Sequence, residues 1–119
     1  MPKGTDITEY STVINRVFGG EEIVLSAPFD IGENGEFKDG IFFLSRTTMC
    51  VIENGNVVRV EKLSSVLKAV CAECVGSGMI ELFTKTGRYL LLRFSMKHIE
   101  DFTRAADIIN DLVAGGEVN

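Results

Sequence analysis

A mainly β domain with helices at its ends is predicted by three features of the chain. Strand-length apolar segments follow one another from Gly40 to Phe94, glycine-bearing turns punctuate them at near-regular intervals, and a single amphipathic helix then runs to Gly115-Gly116. Consecutive strands closed by one helix imply a strongly bent antiparallel sheet, or partly open barrel, of about seven strands whose open end the C-terminal α-helix caps. A short N-terminal helix completes the expected fold. At 119 residues and 45% hydrophobic, the chain is long enough for one core. Residues 1–20 are expected to form an N-terminal amphipathic helix segment, and residues 21–116 the domain proper.

Asp6-Ile7-Thr8-Glu9 places an acid at an N-cap with glutamate three residues on, close to a capping box, so a helix should begin there. Tyr10, Val13, Ile14, Val17 and Phe18 recur at helical spacing, and Gly19-Gly20 supplies a left-handed cap. A helix of about three turns is marginal alone in water, so this stripe must dock on the domain or on something else.

Glu22 to Phe29 is the first strand, with Pro28 marking an edge or bulge. Asp30 to Glu36 contains Asn34-Gly35 and three acids, and reads as a solvated loop. The next strand resumes near Phe37 and is apolar on both faces through Ile41-Phe42-Phe43-Leu44. Thr48 to Glu53 and Val57 to Lys62 flank Asn54-Gly55, a type I′ hairpin signal. In the return strand, alternation sets Val58 and Val60 on one face and Val57, Arg59 and Glu61 on the other. Ser64-Ser65 interrupts the rhythm.

Val66 to Val75 suits either a helix or a strand; Val66, Val70, Val75 and the Gly76-Ser77-Gly78 turn tilt it toward a strand. Met79 to Thr84 and Arg88 to Phe94 form a hairpin across Lys85-Thr86-Gly87, with Tyr89 and Arg93 on the wetter side. Ser95 is the expected N-cap of the last helix. Its stripe runs through Met96, Ile99, Phe102, Ala106, Ile109 and Leu112 or Val113, while Glu100, Asp101, Arg104, Asp107 and Asp111 face water.

Charge and cysteine usage narrow the function classes. Twelve Lys+Arg against 17 Asp+Glu leave a net charge of −5, a field that repels nucleic acid and anionic membranes. No apolar run approaches the roughly 20 residues that cross a bilayer. Three cysteines, and no basic-then-apolar leader, predict a reducing cytoplasm.

No catalytic, cofactor-binding or metal-ligating set is predicted. Cys71-Ala72-Glu73-Cys74 is a CxxC, but on a strand residues three apart point to opposite faces, and no histidine or second pair completes four ligands. His98, the only histidine, lies in the first turn of the last helix with nothing around it that builds a triad. Asp30, Glu33, Glu36 and Asp39 crowd one loop without the spacing of a calcium loop, and read as an acidic rim.

The segment Gly40-Ile41-Phe42-Phe43-Leu44-Ser45-Arg46-Thr47-Thr48-Met49, with Gly55 to Val60, Leu63 to Val66 and a late strand entering the helix, resembles a pleckstrin-homology-like domain of the bacterial PH or GRAM kind over about residues 20 to 114. Ala72 to Gly78, Lys85 to Arg88 and Arg93 to Ser95 are also similar to a PH-like module that precedes the membrane region of some bacterial ABC exporters. The resemblance implies a free-standing relative or an N-terminal piece, accessory to a membrane transporter, at the inner face of the membrane. Phosphoinositide-binding members use a basic first hairpin loop, and here that loop is acidic from Asp30 to Asp39, which moves the expectation toward protein contact.

The expected function is therefore a non-enzymatic interaction or regulatory domain that binds a protein partner, with Tyr10, Val13, Val17 and Phe18 as its contact stripe unless these dock internally. The alternative is an anionic-lipid or small-ligand module using Lys62, Lys68 and Arg88 at the open end of the barrel. An enzyme would rest only on Cys71, Cys74 and His98.

Overall fold

The computed structural model describes residues 10–32 and 35–115. The capping box expected at Asp6 to Glu9, the Glu33-Asn34 part of the acidic loop, and Gly116 lie outside them. Helix α1 (Ser11–Phe18) is followed by strands β1 (Ile23–Ile31), β2 (Phe37–Ser45), β3 (Thr48–Glu53), β4 (Asn56–Lys62), β5 (Val66–Cys74), β6 (Ser77–Thr84) and β7 (Gly87–Ser95), then helix α2 (Ile99–Val113). Single 3-10 turns at Leu63–Ser65 and Met96–His98 lead into β5 and α2. The segment that suited either helix or strand is thus a strand.

The seven strands form one antiparallel sheet in the order β4-β3-β2-β1-β7-β6-β5. The sheet is not closed. Its two halves meet between β1 and β7 at the pair Ile31 and Arg93, so the sheet bends there around its core. Pro28, opposite Ile41 in the body of β1, is tolerated because β1 over this stretch has a partner on one flank only. Among the described residues no helix is long and apolar enough to cross a membrane.

The two-faced apolar character of β2 has a direct structural cause. Phe42 and Leu44 enter the main core beneath α2, whereas Ile41 and Phe43 join Cys50 and Ile52 in a second cluster that α1 covers. Gly19, at φ 60°, ends α1 in the left-handed cap, its N–H donating to Asn15 O at 3.0 Å.

Phe102 of α2 organises the main core. Its ring lies 4.6 Å from Phe94 in a stacked geometry, 6.2 Å from Phe42 and 6.5 Å from Phe29. Each such buried ring contributes on the order of 1.5 to 3 kcal/mol. Two glycines make room for this cluster: Gly40 pairs with Phe29 and Gly78 with Phe94, and a Cβ on either would lie 2.3 or 2.4 Å from the facing ring. The charged residues expected to face water on α2 are all exposed.

Three local expectations are corrected. Ser77 and Gly78 belong to β6, and the turn is Val75-Gly76, both at positive φ (33° and 80°). Ser95 makes no side-chain cap, because its hydroxyl is turned toward Asp30 and a 3-10 turn intervenes before α2. Asp30 is not solvated rim but the penultimate residue of β1, half-buried. By contrast, the alternation expected in β4 holds: Val58 and Val60 are exposed while Val57, Arg59 and Glu61 are half-buried, even though β4 pairs Val51 with Arg59 and Ile52 with Val57 and so carries Val58 as an extra residue opposite β3.

Candidate functional site

An open sheet has two free edges, and this protein treats them differently. The edge of β5 is covered by α2. The side chain of Asn110 reaches Ala69 in β5 and bonds it twice: Ala69 N–H donates to Asn110 Oδ1 at 2.8 Å, and Asn110 Nδ2 donates to Ala69 O at 2.8 Å. The amide acts as one residue of a neighbouring strand. Among the described residues no helix lies along the edge of β4, which pairs with β3 alone.

Local chemistry sets the β4 edge. Asn54 (φ 50°) and Gly55 (φ 84°) take the two left-handed positions of the hairpin turn, so β4 returns in register with β3. The edge then exposes Val58 (52%) and Val60 (44%), large apolar residues on a strand with no proline and a single lysine, Lys62, at its end.

The inner face of β4 carries a charged pair that reaches a tyrosine of β7. Arg59 Nη1 lies 3.5 Å from Glu61 Oε2, and the Arg59 guanidinium sits 5.2 Å from the centre of the Tyr89 ring. The Tyr89 phenol is pushed above its ordinary pKa, first by burial and then by its hydrogen bond to Glu61 and that residue's charge, with Arg59 pulling the other way. Tyr89 is thus a half-buried bridge, not the solvated residue the alternation suggested.

Beside this bridge a cleft of 210 Å³ opens between β4 and β7, lined in part by Val58, Arg59, Leu91, Arg93, Glu36 and Glu53. Two of the sheet's bulges border it: Ile80 pairs with Leu92 and Glu81 with Leu90, leaving Leu91 extra on β7 as Val58 is on β4. Arg93 is half-buried and donates from Nη2 to Ser77 Oγ at 3.1 Å. Lys38 Nζ lies 3.7 Å from Glu36 and 4.0 Å from Glu53, which draws part of the acidic loop into ion pairs.

The residues proposed from sequence fall as follows. Tyr10, Val13, Val17 and Phe18 pack inward on the cluster of Phe43 and Ile52, Tyr10 meeting Phe43 edge-on at 5.6 Å. The internal docking weighed beside partner contact is the arrangement adopted. Lys68 and Arg88 converge on Phe83, at 4.8 and 5.8 Å from its ring centre, and Arg88 Nε lies 3.8 Å from Glu81. Lys62 does not join them. Its ammonium donates to Thr48 Oγ1 at 3.2 Å and borders a separate cleft of 340 Å³ with Arg46 and Leu112. Near that cleft, the Glu21 carboxyl is held below its usual range chiefly by the hydroxyls of Thr47 and Ser45.

The polar residues weighed for catalysis are engaged elsewhere. Asp30 accepts from Ser95 N at 2.9 Å and Ser95 Oγ at 2.6 Å, with Lys97 Nζ and His98 Nε2 at 3.7 and 3.8 Å. Burial raises the Asp30 pKa, but the Ser95 bonds and the His98 and Lys97 charges outweigh it and leave the carboxyl below its ordinary value. This cluster clamps the entry to α2 onto β1. Burial pushes the Cys50 thiol up to about 11, and raises that of Cys71, whose sulfur lies 3.8 Å from Thr103 Oγ1. Both thiols are therefore protonated near neutrality. Among the described residues no group of three or more His, Cys, Asp or Glu is placed to hold a metal ion.

Sequence reasoning missed the Arg59, Glu61 and Tyr89 group. The available signal was a pair of opposite charges two apart within a valine strand, which must share a face.

No protein-family model matches the chain, and no curated protein matches it in sequence. Among solved structures, the chain is similar to the C-terminal domain of an unknown protein from Leishmania infantum, at 13% identity and a TM-score of 0.66 over 87% of this chain and 98% of that one. That likeness is one of fold: a mainly β domain, seven antiparallel strands in an open sheet with a C-terminal helix.

Proposed function

We propose that this chain is a non-enzymatic interaction module that takes an extended strand of a protein partner along the free edge of β4. The carrying observation is the asymmetry of the edges: α2 packs on β5 and its Asn110 satisfies the backbone of Ala69 in mid-strand, while β4 offers a strand edge paired on one side alone and flanked by the exposed Val58 and Val60. Strand addition draws affinity from main-chain hydrogen bonds and selectivity from alternate side chains, and β4 supplies both. The engagement of Ser95 and His98 with Asp30 supports adhesion over turnover. The PH-like resemblance extends this reading to a partner at the cytoplasmic face of a membrane.

A photo-crosslinking residue placed at Val60 tests it in cells, with Arg104, exposed on α2, as the control position. Discrete protein adducts at Val60 that are missing at Arg104 support the edge. Equal labelling at both positions, or none at Val60, removes it.

Anionic-ligand binding is a second reading, carried by the convergence of Lys68 and Arg88 over Phe83. Flotation with vesicles that rises with anionic lipid and falls with salt supports it; indifference to both ends it.

A further inference from the structure

We propose that the strand received by β4 is β4 of a second copy of this chain, paired antiparallel about a two-fold axis at Val60. The inference rests on reading β4 as the docking edge, and adds what occupies it.

The argument is one of register. In a two-fold antiparallel pairing of identical strands, one residue meets its own counterpart, and the others fall opposite each other symmetrically. Three registers are central to the exposed stretch, because successive choices differ by which residue sits on the axis. Centring on Arg59 sets arginine directly against arginine. Centring on Glu61 sets glutamate against glutamate. Centring on Val60 sets Arg59 opposite Glu61 of the second copy and Glu61 opposite its Arg59, with valine facing valine on the other side. Opposite charges directly across a strand pair stabilise and like charges destabilise, so the edge selects this register for itself.

The surroundings agree with that choice. Arg59 and Glu61 already lie 3.5 Å apart on the inner face of β4, so pairing two copies creates an alternating network of four charges. Val60 is 44% exposed and loses that exposure at the axis. Val58, 52% exposed, comes opposite Lys62, whose methylene stem can cover it while the ammonium keeps its bond to Thr48 Oγ1. The bulge at Val58 ends the regular ladder on one side and the 3-10 turn at Leu63–Ser65 ends it on the other, which frames a short pairing centred on Val60. A two-fold contact closes on itself at two copies, and at the opposite edge Asn110 occupies the mid-strand peptide groups of Ala69, which interrupts the one other edge along which the sheet could grow.

The test is sedimentation velocity over a concentration series with the full chain and four variants, each first checked for a cooperative thermal melt. Wild type should move from its 13.1 kDa monomer toward twice that mass as concentration rises. Arg59→Glu alone and Glu61→Arg alone place like charges across the axis and should each remain monomeric. An equimolar mixture of those two variants should recover the dimer, because each strand then faces its complement, and the double variant should dimerise by itself. Val60→Lys, at an exposed position that leaves the fold intact, should be monomeric. A wild-type chain that stays monomeric, a dimer that survives Val60→Lys, or a mixture that fails to associate would overturn the proposal. If the wild type is monomeric while photo-crosslinks at Val60 capture a different protein, the second copy is wrong and the docking edge stands; if both are negative, both fall.

Discussion

The side-chain amide of Asn110 hydrogen-bonds the N–H and the C=O of Ala69, each at 2.8 Å, so one residue of α2 completes the backbone pairing of a strand 41 positions earlier. Helix seating and edge protection are thereby the same interaction. Asn110→Ala leaves two peptide groups of a buried residue without partners and should cost about 2 to 4 kcal/mol. Asn110→Asp should cost at least as much, since a carboxylate cannot donate to Ala69 O. Urea unfolding of the three proteins measures this. Equal midpoints would mean that water replaces the amide without loss.

Phe29 over Gly40 and Phe94 over Gly78 predict a matched pair of steric effects. Either Gly40→Ala or Gly78→Ala drives a Cβ into the facing ring, and each should cost about 1 to 3 kcal/mol by overpacking. Neither glycine is at a positive φ, so the penalty comes from the contact and not from backbone strain. Combining Gly78→Ala with Phe94→Leu should therefore cost less than the sum of the two single changes. Strict additivity in denaturation experiments would contradict the contact.

Asp30 sets part of the acid limb of stability. Its carboxyl titrates lower in the folded protein than in the unfolded chain, so the unfolded state binds the proton first as pH falls. The stabilisation is complete above about pH 4, the unfolded carboxylate range, and is lost as pH drops through the lower folded value. Asp30→Asn should be less stable than wild type at neutral pH, with the gap narrowing below that range. Chemical denaturation between pH 7 and pH 2 follows it, and a gap independent of pH would rule out the linkage.

Val75 occupies the first left-handed position of the β5–β6 turn, at φ 33°, with its side chain fully exposed. A β-branched residue is strained there and recovers nothing from burial. Val75→Asn should raise stability by about 1 kcal/mol, because asparagine accepts the left-handed region more readily. An unchanged or lowered melting temperature would show that the turn carries no such strain.

What could be read along the chain was whatever neighbouring residues decide among themselves. Period-two alternation and turn chemistry placed β3, β6 and β7 nearly to their ends, Asn54-Gly55 named its own hairpin, and the 3.6-residue stripe picked out Phe102, Ala106 and Ile109 as the buried face of α2. The doubly apolar β2 already implied a cover on each side, and the short amphipathic stretch before it implied something to cover. These are local properties, encoded within one turn or one hairpin.

Contacts between distant segments were decided only by folding. Asp30 and Ser95, 65 positions apart, each looked like a solvent-facing cap or rim until the bend between β1 and β7 brought them within hydrogen-bonding distance. Gly78 looked like turn punctuation because nothing nearby in the sequence announces the Phe94 ring that lies on it. A bulge costs one residue of register, and no periodicity at Val57-Val58 foretells where the partner strand slips; alternation set Val58 and Val60 on one face, but the Arg59, Glu61 and Tyr89 bridge emerged only with β7 in place. The physical reason is common to all of them: propensity and alternation act over a few residues, whereas pairing register, edge coverage and charge convergence depend on which distant surfaces the closing of the sheet sets side by side.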